Sequence, residues 1–342
     1  MKKNLKKKNN KITNRKCYTR ILMGVLLLNL SLVLSACGET EQNQKKKERY
    51  IAVICKGTQH EFWKTVEQGA KDAGEELNAH ITFEAPENES QIGAQVELVE
   101  KAIDNKADAI VLAPLDTVQL NEVIEEAESK GIPVLTFDSD VTSSARVANI
   151  GTSNETAGAI AARKAAELIG EEGEIAVISH VKGAQTALAR NEGFINEIEK
   201  INNETMKIVG IEYSGGDAKI AKQQAKEFIE RYPNLKCIYA ANEGCALGAA
   251  EAVKDLKKQQ DIVVIGFDSS EKEIAYLEEG LIDGMMVQNP YNMGYLGVRN
   301  INKVLDGEPI EEKIDTGATY VDKGNLYDED TQWLLYPLGK EE

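Results

Sequence analysis

The sequence predicts an α/β protein made of two similar lobes, each built on a parallel-type sheet. From Tyr50 onward, short β-branched apolar runs alternate with longer segments in which apolar residues recur every three or four positions. Near-continuous apolar strands that alternate with amphipathic helices are typical of parallel sheets covered by helices on both faces. The second half of the chain then repeats the first half. The alternation predicts the class, and the repeat predicts two lobes.

Nine segments have the composition of buried strands. They are residues 50–55, 80–83, 109–112, 133–137, 175–179, 208–213, 237–240, 262–267 and 284–287. The intervening segments have helical period. In residues 90–105, for example, Ile92, Val96, Val99 and Ile103 fall on one face of a helix.

Three matches in the same order define the internal repeat. Residues 51–54 match 175–178 at an offset of 124, Ile110 matches Ile238 at 128, and the Phe-Asp-Ser of 137–139 matches that of 267–269 at 130. Each Phe-Asp-Ser follows the predicted fourth strand of its lobe, at the carboxyl edge where open α/β sheets bind ligands. Two such edges that face each other would form a cleft suited to a small solute.

The charge balance argues against a nucleic-acid partner. Asp and Glu total 56 against 40 Lys and Arg, which gives a formal net charge of -16. A protein that binds phosphate backbones needs an excess of basic residues.

The first 48 residues are predicted to direct export of the protein and to attach it to a membrane, and not to be part of the folded lobes. Residues 1–36 combine a basic stretch with an apolar run of about 14 residues, which is typical of an export signal and too short for a spanning helix. Leu34-Ser35-Ala36-Cys37 resembles the bacterial lipobox, so Cys37 is the predicted lipid-attachment site. Residues 37–48 would then be the lipidated cysteine and a polar tether to an extracytoplasmic body on the cell membrane.

The remaining cysteines predict neither a disulfide framework nor a metal site. Three cysteines remain, Cys55, Cys237 and Cys245, and an odd number cannot form a complete set of disulfides. No CxxC motif occurs. The histidines, His60, His80 and His180, are scattered along the sequence. Buried free thiols and no metal or cofactor are therefore expected.

Seven motifs in one order carry a family resemblance. They are Glu61-Phe62-Trp63, Ala113-Pro114-Leu115, Thr136-Phe137-Asp138, Arg190-Asn191-Glu192-Gly193-Phe194, Ala241-Asn242-Glu243, Gly266-Phe267-Asp268 and Gln288-Asn289-Pro290. The chain from residue 50 to about 335 resembles the type I periplasmic sugar-binding proteins of ABC transporters, in the ribose, allose and galactose group. The resemblance implies two Rossmann-like lobes joined by a three-crossing hinge. Residues 49–152 and 289–317 would form the N-terminal lobe, and residues 153–288 and 318–337 the C-terminal lobe.

The resemblance also implies a set of ligand-binding residues. They are Lys56, His60, Phe62, Trp63, Asp138, Ser139, Arg190, Asn242, Asp268 and Gln288. Their chemistry suits a sugar, because aromatic rings stack on its C–H faces while carboxylates, amides and guanidinium groups bond its hydroxyls. Arg190 beside Asp138 or Asp268 would also keep a buried carboxylate paired.

Each of these residues also has a purely structural interpretation. Phe62 and Trp63 could be core residues, Asp138 and Asp268 could be helix N-caps or turn formers, and Asn242 could be a helix cap. Arg190 could lie on a solvated helix face and Gln288 on the surface at a strand end. His60 faces either the cleft or solvent.

Departures from the ribose pattern leave the ligand open. Lys56, Ala113 and Ser139 replace a small hydroxyl residue, an asparagine and an arginine, which is closer to the allose branch. No stacking aromatic is evident after Tyr213. An allose- or ribose-like aldose delivered to a permease by a monomeric protein is the leading interpretation. A receptor for autoinducer-2 or another small polyol, feeding a signalling partner, is the alternative.

Two other functional classes fit less well. No nucleotide-binding glycine loop, HExxH or Gly-x-Ser-x-Gly elbow occurs, which argues against an enzyme. Carboxylates at matching lobe tips could serve a glycosidase only in principle. A transcriptional regulator of this fold would carry a helix-turn-helix where the signal and tether stand.

Overall fold

The computed structural model describes residues 48–58, 60–201, 204–337 and 339. The predicted signal peptide of residues 1–36, the predicted lipid site Cys37 and the tether up to residue 47 lie outside these residues. In the part of the chain that is described, no helix has the length and apolar character needed to cross a membrane.

The fold is a two-lobed α/β structure with a six-stranded sheet in each lobe. The first lobe contains β1 (Arg49–Ile54), β2 (Ala79–Glu84), β3 (Ala109–Leu112), β4 (Val134–Phe137), β5 (Asn149–Gly151) and β11 (Lys313–Asp315). The second contains β6 (Gly173–Ser179), β7 (Met206–Tyr213), β8 (Leu235–Ala240), β9 (Val263–Phe267), β10 (Gly284–Gln288) and β12 (Ala318–Val321). The strand orders, β11-β5-β4-β3-β1-β2 and β12-β10-β9-β8-β6-β7, correspond position by position. The repeat seen in the sequence is therefore a repeat of strand order, and the lobes differ at the edge, where β11 is parallel to β5 and β12 is antiparallel to β10.

Ten helices among the described residues cover the two sheets. They are α1 (Glu61–Leu77), α2 (Ile92–Asp104), α3 (Asn121–Ser129), α4 (Asn154–Ile169), α5 (Gln185–Ile201), α6 (Ala218–Arg231), α7 (Glu243–Asp255), α8 (Glu271–Glu279), α9 (Pro290–Leu305) and α10 (Glu329–Leu335). The apolar residues of β1, β3 and β4 are divided between two core clusters on opposite faces of their sheet, as a doubly covered parallel sheet requires.

The nine predicted strands are present, with ends that differ by at most two residues. The three strands missed are β5, β11 and β12, with the sequences NIG, KID and ATYV. They are short, and β11 and β12 lie at sheet edges with partly exposed residues. Such strands lack the continuous apolar run that identified the others.

The chain passes between the sheets three times: after β5, between β10 and β11, and between β11 and β12. Helix α9 follows β10 of the second sheet but packs against α1 and the strands of the first. In the mirror arrangement, α4 follows β5 and packs against α5 and the second sheet. Each lobe therefore contains a helix that begins where a strand of the other lobe ends.

Glycines allow these crossing helices to approach closely. A Cβ at Gly69 would collide with the carbonyl oxygen of Tyr291, and one at Gly193 with that of Glu155. The two glycines are separated by the repeat offset of 124. The glycine of the Arg190–Phe194 motif is thus a packing residue that seats α5 on α4.

Candidate functional site

A cavity with about 30 Å³ of free space lies between the lobes, at the carboxyl ends of both sheets. It is lined by Lys56, His60, Phe62, Trp63, Glu89, Asp138, His180, Thr186, Arg190, Asn242, Asp268 and Gln288. Nine of the ten predicted binding residues are among these, and the tenth, Ser139, bonds to one of them. The structure thus brings the predicted set together, including His60.

The two Phe-Asp-Ser motifs form equivalent turns. Asp138 and Asp268 have left-handed backbones, with φ of 58° and 82°, and each donates its N–H to a carbonyl of the neighbouring strand. Aspartate tolerates this conformation better than most residues with a Cβ. Both aspartates line the same cavity. Both aspartates therefore form a turn and also line the cavity, so the two interpretations are compatible.

The first lobe's aspartate is paired with a lysine. Lys56 Nζ lies 2.6 Å from Asp138 Oδ2 and donates to Ser139 Oγ at 2.6 Å. The ammonium also reaches Thr186 Oγ1 of the second lobe at 3.4 Å. Both charged groups of the pair are buried. Two of the three residues in which the sequence departs from the ribose pattern, Lys56 and Ser139, therefore form a single cluster with Asp138.

The expected pairing of Arg190 with an aspartate is not observed. Arg190 donates to Asn154 Oδ1 at 2.8 Å and to the carbonyl oxygen of Ala241 at 2.7 Å, and its guanidinium lies 3.7 Å from the centroid of the Phe267 ring. No ion pair of Arg190 within 4.0 Å occurs among the described residues. Asn154 at the start of α4 fixes the guanidinium instead. Arg190 is buried, so it does not lie on a solvated helix face.

Asp268 is held by neutral donors. Its two oxygens accept from Gln288 Nε2 at 2.5 Å and from the Glu243 backbone N–H at 3.1 Å. Burial raises the pKa of Asp268, and the nearby positive charge of Arg190 offsets part of that rise. Gln288, considered a surface candidate in the sequence, is buried at the end of β10.

Three other predicted residues have both a structural and a cavity-lining position. Asn242 Oδ1 caps α7 by accepting from the Cys245 N–H at 3.0 Å. Trp63 belongs to the first lobe's core, and Phe62 packs edge-on against it at 4.8 Å between ring centroids. All three also line the cavity. Structural and binding roles are therefore compatible at these positions.

Three cavity residues, Glu89, His180 and Thr186, were not predicted from the sequence. His180 follows β6 as Lys56 follows β1, at the repeat offset of 124, so the repeat contained a signal for it. Glu89 comes from the loop after β2, and Thr186 from the first turn of α5. No motif identified these two, because Glu89 lies in a loop and Thr186 belongs to the opposite lobe from Lys56, which it contacts.

Two of the histidines that are scattered along the sequence lie close to one carboxylate in the structure. His60 Nε2 and His180 Nδ1 lie 3.9 and 4.0 Å from the two carboxylate oxygens of Glu89. His60 Nδ1 also lies 3.6 Å from Glu243 Oε1 across the cleft. Among the described residues, no group of three or more His, Cys, Asp or Glu side chains is arranged to hold a metal ion.

The two histidines have opposite pKa shifts. Burial by itself would lower the pKa of His60, but Glu243, Glu89 and Asp268 outweigh it and raise the pKa to about 9. For His180, burial and the positive charges of Arg190, Lys56 and His60 hold the pKa well below its ordinary value. At neutral pH the first histidine is therefore charged and the second is neutral.

Comparisons with known proteins agree with this architecture. Residues 51–309 match the model of the periplasmic binding protein domain family. The chain is 24% identical to the ribose import binding protein of Bacillus subtilis, over 84% of this chain and 95% of that protein. It is 28% identical to the D-allose-binding periplasmic protein of Escherichia coli, over 72% and 82%.

Solved structures give the same result. An ABC transporter solute-binding protein from Agrobacterium vitis with bound D-fucose is 36% identical, with a TM-score of 0.81 over 84% of this chain and 100% of that chain. A carbohydrate transporter solute-binding protein from Agrobacterium radiobacter, in complex with D-arabinose, is 31% identical, with a TM-score of 0.81 over 85% and 99%. These relatives are transport receptors, which confirms the prediction that the chain is not an enzyme.

Proposed function

Since the chain belongs to the periplasmic binding protein family, we propose that it captures a monosaccharide between its lobes and delivers it to an ABC transporter permease. The proposed ligand is an allose- or ribose-like aldose. The curated relatives named above bind ribose and allose, and the solved structures hold D-fucose and D-arabinose.

The composition of the cavity is the observation that carries this proposal. The cavity lies at the interface of two lobes, which is a common place for small-molecule sites. Phe62 and Trp63 provide apolar surface, and the remaining lining side chains are polar or charged. Three buried polar atoms facing it, His60 Nε2, His180 Nδ1 and Gln288 Oε1, have no hydrogen-bond partner. Buried groups of this kind favour a ligand that supplies hydroxyls.

The charges in the cavity favour a neutral ligand. Lys56, Arg190 and the charged His60 oppose Asp138, Glu89 and Asp268 among its lining residues. A ligand with a net charge would disturb this balance in a site where little water remains to screen it. A neutral aldose meets hydrogen-bonding groups of both kinds without adding a charge.

Capture requires the lobes to open and close, and we propose hinge bending at the three crossings. The structure has contacts that join the lobes, such as the Glu271 N–H that donates to Glu61 Oε2 at 3.1 Å. Ligand would stabilise this closed arrangement by its greater affinity for it. Small-angle scattering with and without saturating ligand tests closure, and profiles that superimpose would contradict it.

Localisation and attachment complete the proposal. The protein would act outside the cytoplasm as a monomer, attached to the cell membrane through a lipid on Cys37 after removal of residues 1–36. The proposed lobe boundaries are 49–152 with 289–317, and 153–288 with 318–337. Metabolic labelling with a fatty acid would mark the wild-type protein and not Cys37→Ser, and equal labelling of both would exclude the anchor.

Calorimetric titration of the purified full chain with D-ribose, D-allose, D-arabinose, D-fucose and autoinducer-2 tests the ligand class. We expect saturable binding of at least one aldose. Binding of autoinducer-2 alone would keep the fold and change the role to that of a signal receptor.

A further inference from the structure

Glu89, His60 and His180 enclose a small polar gap at one end of the cavity. The three residues are 7%, 8% and 3% exposed, and they come from the loop after β2, the start of α1 and the end of β6. Glu89 is fixed because its Oε1 accepts from Trp63 Nε1 at 3.1 Å. The imidazole nitrogens that face it, at 3.9 and 4.0 Å, have no hydrogen-bond partner.

These distances are too long for direct hydrogen bonds but suit a bridging atom. An oxygen atom about 2.8 Å from each side can span a separation of about 4 Å. Without such an atom, two nearly buried nitrogens remain unpaired, which is costly.

The hydrogen bonds of Thr186 are compatible with N–H donors on both nitrogens that face Glu89. Lys56 Nζ donates to Thr186 Oγ1 at 3.4 Å, so the threonine hydroxyl can give its own hydrogen to His180 Nε2 at 3.3 Å. A neutral His180 whose Nε2 accepts must carry its proton on Nδ1, the atom that faces Glu89. The charged His60 carries a proton on both nitrogens. The gap therefore presents two N–H donors and one carboxylate acceptor.

A hydroxyl group can make the three hydrogen bonds that this arrangement offers. Its oxygen accepts from two donors, and its hydrogen is donated to one acceptor. A hydrogen or methyl group would leave His60 Nε2 and His180 Nδ1 unpaired, and a carbonyl or ether oxygen would have no hydrogen to donate to the second oxygen of Glu89, which already accepts from Trp63 through Oε1.

Gly216 keeps the gap open. A Cβ at this position would lie 3.4 Å from His60 Nε2 and 3.6 Å from a carboxylate oxygen of Glu89. This loop follows Tyr213, where the sequence offered no stacking aromatic, and Tyr213 is not among the residues that line the described cavity. At this end the cavity is therefore lined by the polar side chains of Glu89, His60 and His180, and the Tyr213 loop adds no stacking aromatic.

We propose that Glu89, His60 and His180 together bind one hydroxyl group of the ligand, so that the site selects sugars with a free hydroxyl at this position over their deoxy counterparts. This inference rests on the proposed function and adds Glu89 and His180 as specificity-determining residues.

Calorimetry with a set of sugar analogues tests it. The probes are D-ribose, D-allose, D-arabinose and D-galactose, followed by each monodeoxy analogue of the sugar that binds most tightly. Each is titrated into the full-length wild type, Glu89→Gln and His180→Phe. Glu87→Gln is the matched control, because Glu87 is an exposed residue of the same loop.

In the wild type, one deoxy analogue should bind about 100-fold more weakly than the parent sugar, since it leaves buried groups unpaired. The same analogue should lose less than about 10-fold in Glu89→Gln, which presents an amide donor instead of an acceptor. His180→Phe should reduce the penalty similarly, and Glu87→Gln should leave it at the wild-type value.

Two results would overturn the inference in different ways. If a sugar binds but each deoxy penalty is the same in the wild type and both variants, the gap holds water or nothing, and the proposed function survives. If neither these four sugars nor D-fucose binds the wild type, the proposed function fails and the inference fails with it. The deoxy series on the wild type needs no variant to fold, and the absence of any penalty near 100-fold there would also refute the inference.

Discussion

The two lobes have the same strand order but opposite ways of stabilising the charges that they bring to the cavity. In the first lobe, Asp138 forms an ion pair with Lys56 at 2.6 Å. In the second, Asp268 is held by an amide and a backbone N–H, while Arg190 bonds to Asn154 and a carbonyl oxygen. The same backbone turn therefore holds a charge-paired aspartate in one lobe and an aspartate with a raised pKa in the other.

The residues at equivalent positions after the first strand of each lobe also differ in charge. Lys56 follows β1 and His180 follows β6 at equivalent positions, and one is a cation while the other is a neutral imidazole. Their side chains meet through Thr186. The repeat thus fixes where side chains enter the cavity, whereas the residue type at each position decides the chemistry. One cavity can therefore present different groups to the two sides of an asymmetric sugar.

The largest effect is expected from removing the charge of Asp138. Asp138→Asn keeps a side chain that tolerates the left-handed backbone but leaves the buried Lys56 ammonium without its counter-ion. We expect the free energy of unfolding to fall by about 3–5 kcal/mol, and sugar affinity to fall by at least about 2 kcal/mol. Urea unfolding and calorimetry measure the two quantities.

The double variant Lys56→Met with Asp138→Asn distinguishes loss of pairing from loss of packing. It should recover much of the stability and none of the affinity, because no unpaired charge remains buried. The exposed Asp104→Asn is the control for an aspartate substitution. Wild-type stability in the Asp138→Asn single variant would show that the ion pair contributes nothing to the first lobe.

The second largest effect concerns pH and contrasts the two histidines. The pKa of His60 is raised to about 9, so its contribution to stability is complete below about pH 6.5 and is lost as pH rises through about 9. At about 1.4 kcal/mol per pKa unit, the upper limit is about 3 kcal/mol. The difference in unfolding free energy between the wild type and His60→Gln should shrink from pH 6 to pH 10.

His180 should show the opposite trend. Its pKa in the folded state is depressed, so the unfolded chain binds a proton that the folded protein does not, and stability falls as pH drops below about 6.5. His180→Gln should weaken that acid-side loss. Parallel stability-against-pH curves for the wild type and both variants would contradict the assigned charge states.

The smallest effect is expected at the second lobe's aspartate. Asp268→Asn can keep one of the two accepted hydrogen bonds and loses no ion partner within 4.0 Å. We expect a loss of about 1–2 kcal/mol in unfolding free energy, measured in the same urea assay as Asp138→Asn. A loss as large as that of Asp138→Asn would erase the distinction between the lobes.

Sequence analysis predicted those site residues that belong to motifs at strand ends. Asp138 and Asp268 directly follow strands β4 and β9, and Gln288 is the last residue of β10, so the ends of these strands fix where the side chains emerge. Glu89 and Thr186 were not predicted. The position of Glu89 depends on a loop conformation, and that of Thr186 depends on the approach of the other lobe. The pairing of Arg190 was wrong because Asn154, at the start of a helix that enters from the other lobe, lies within hydrogen-bond distance.

By itself, the sequence determined the class of fold, its duplication and nine of its strands, because apolar periodicity and internal repeats are local properties of the chain. It also placed most of the cavity residues, since the carboxyl ends of parallel strands lie along one edge of a sheet. Only the tertiary structure decided which charges pair, which histidine is charged and that Glu89 lies between His60 and His180. Those properties depend on distances of a few ångströms between groups from different strands, loops and lobes, and burial and electrostatic interaction act at that scale.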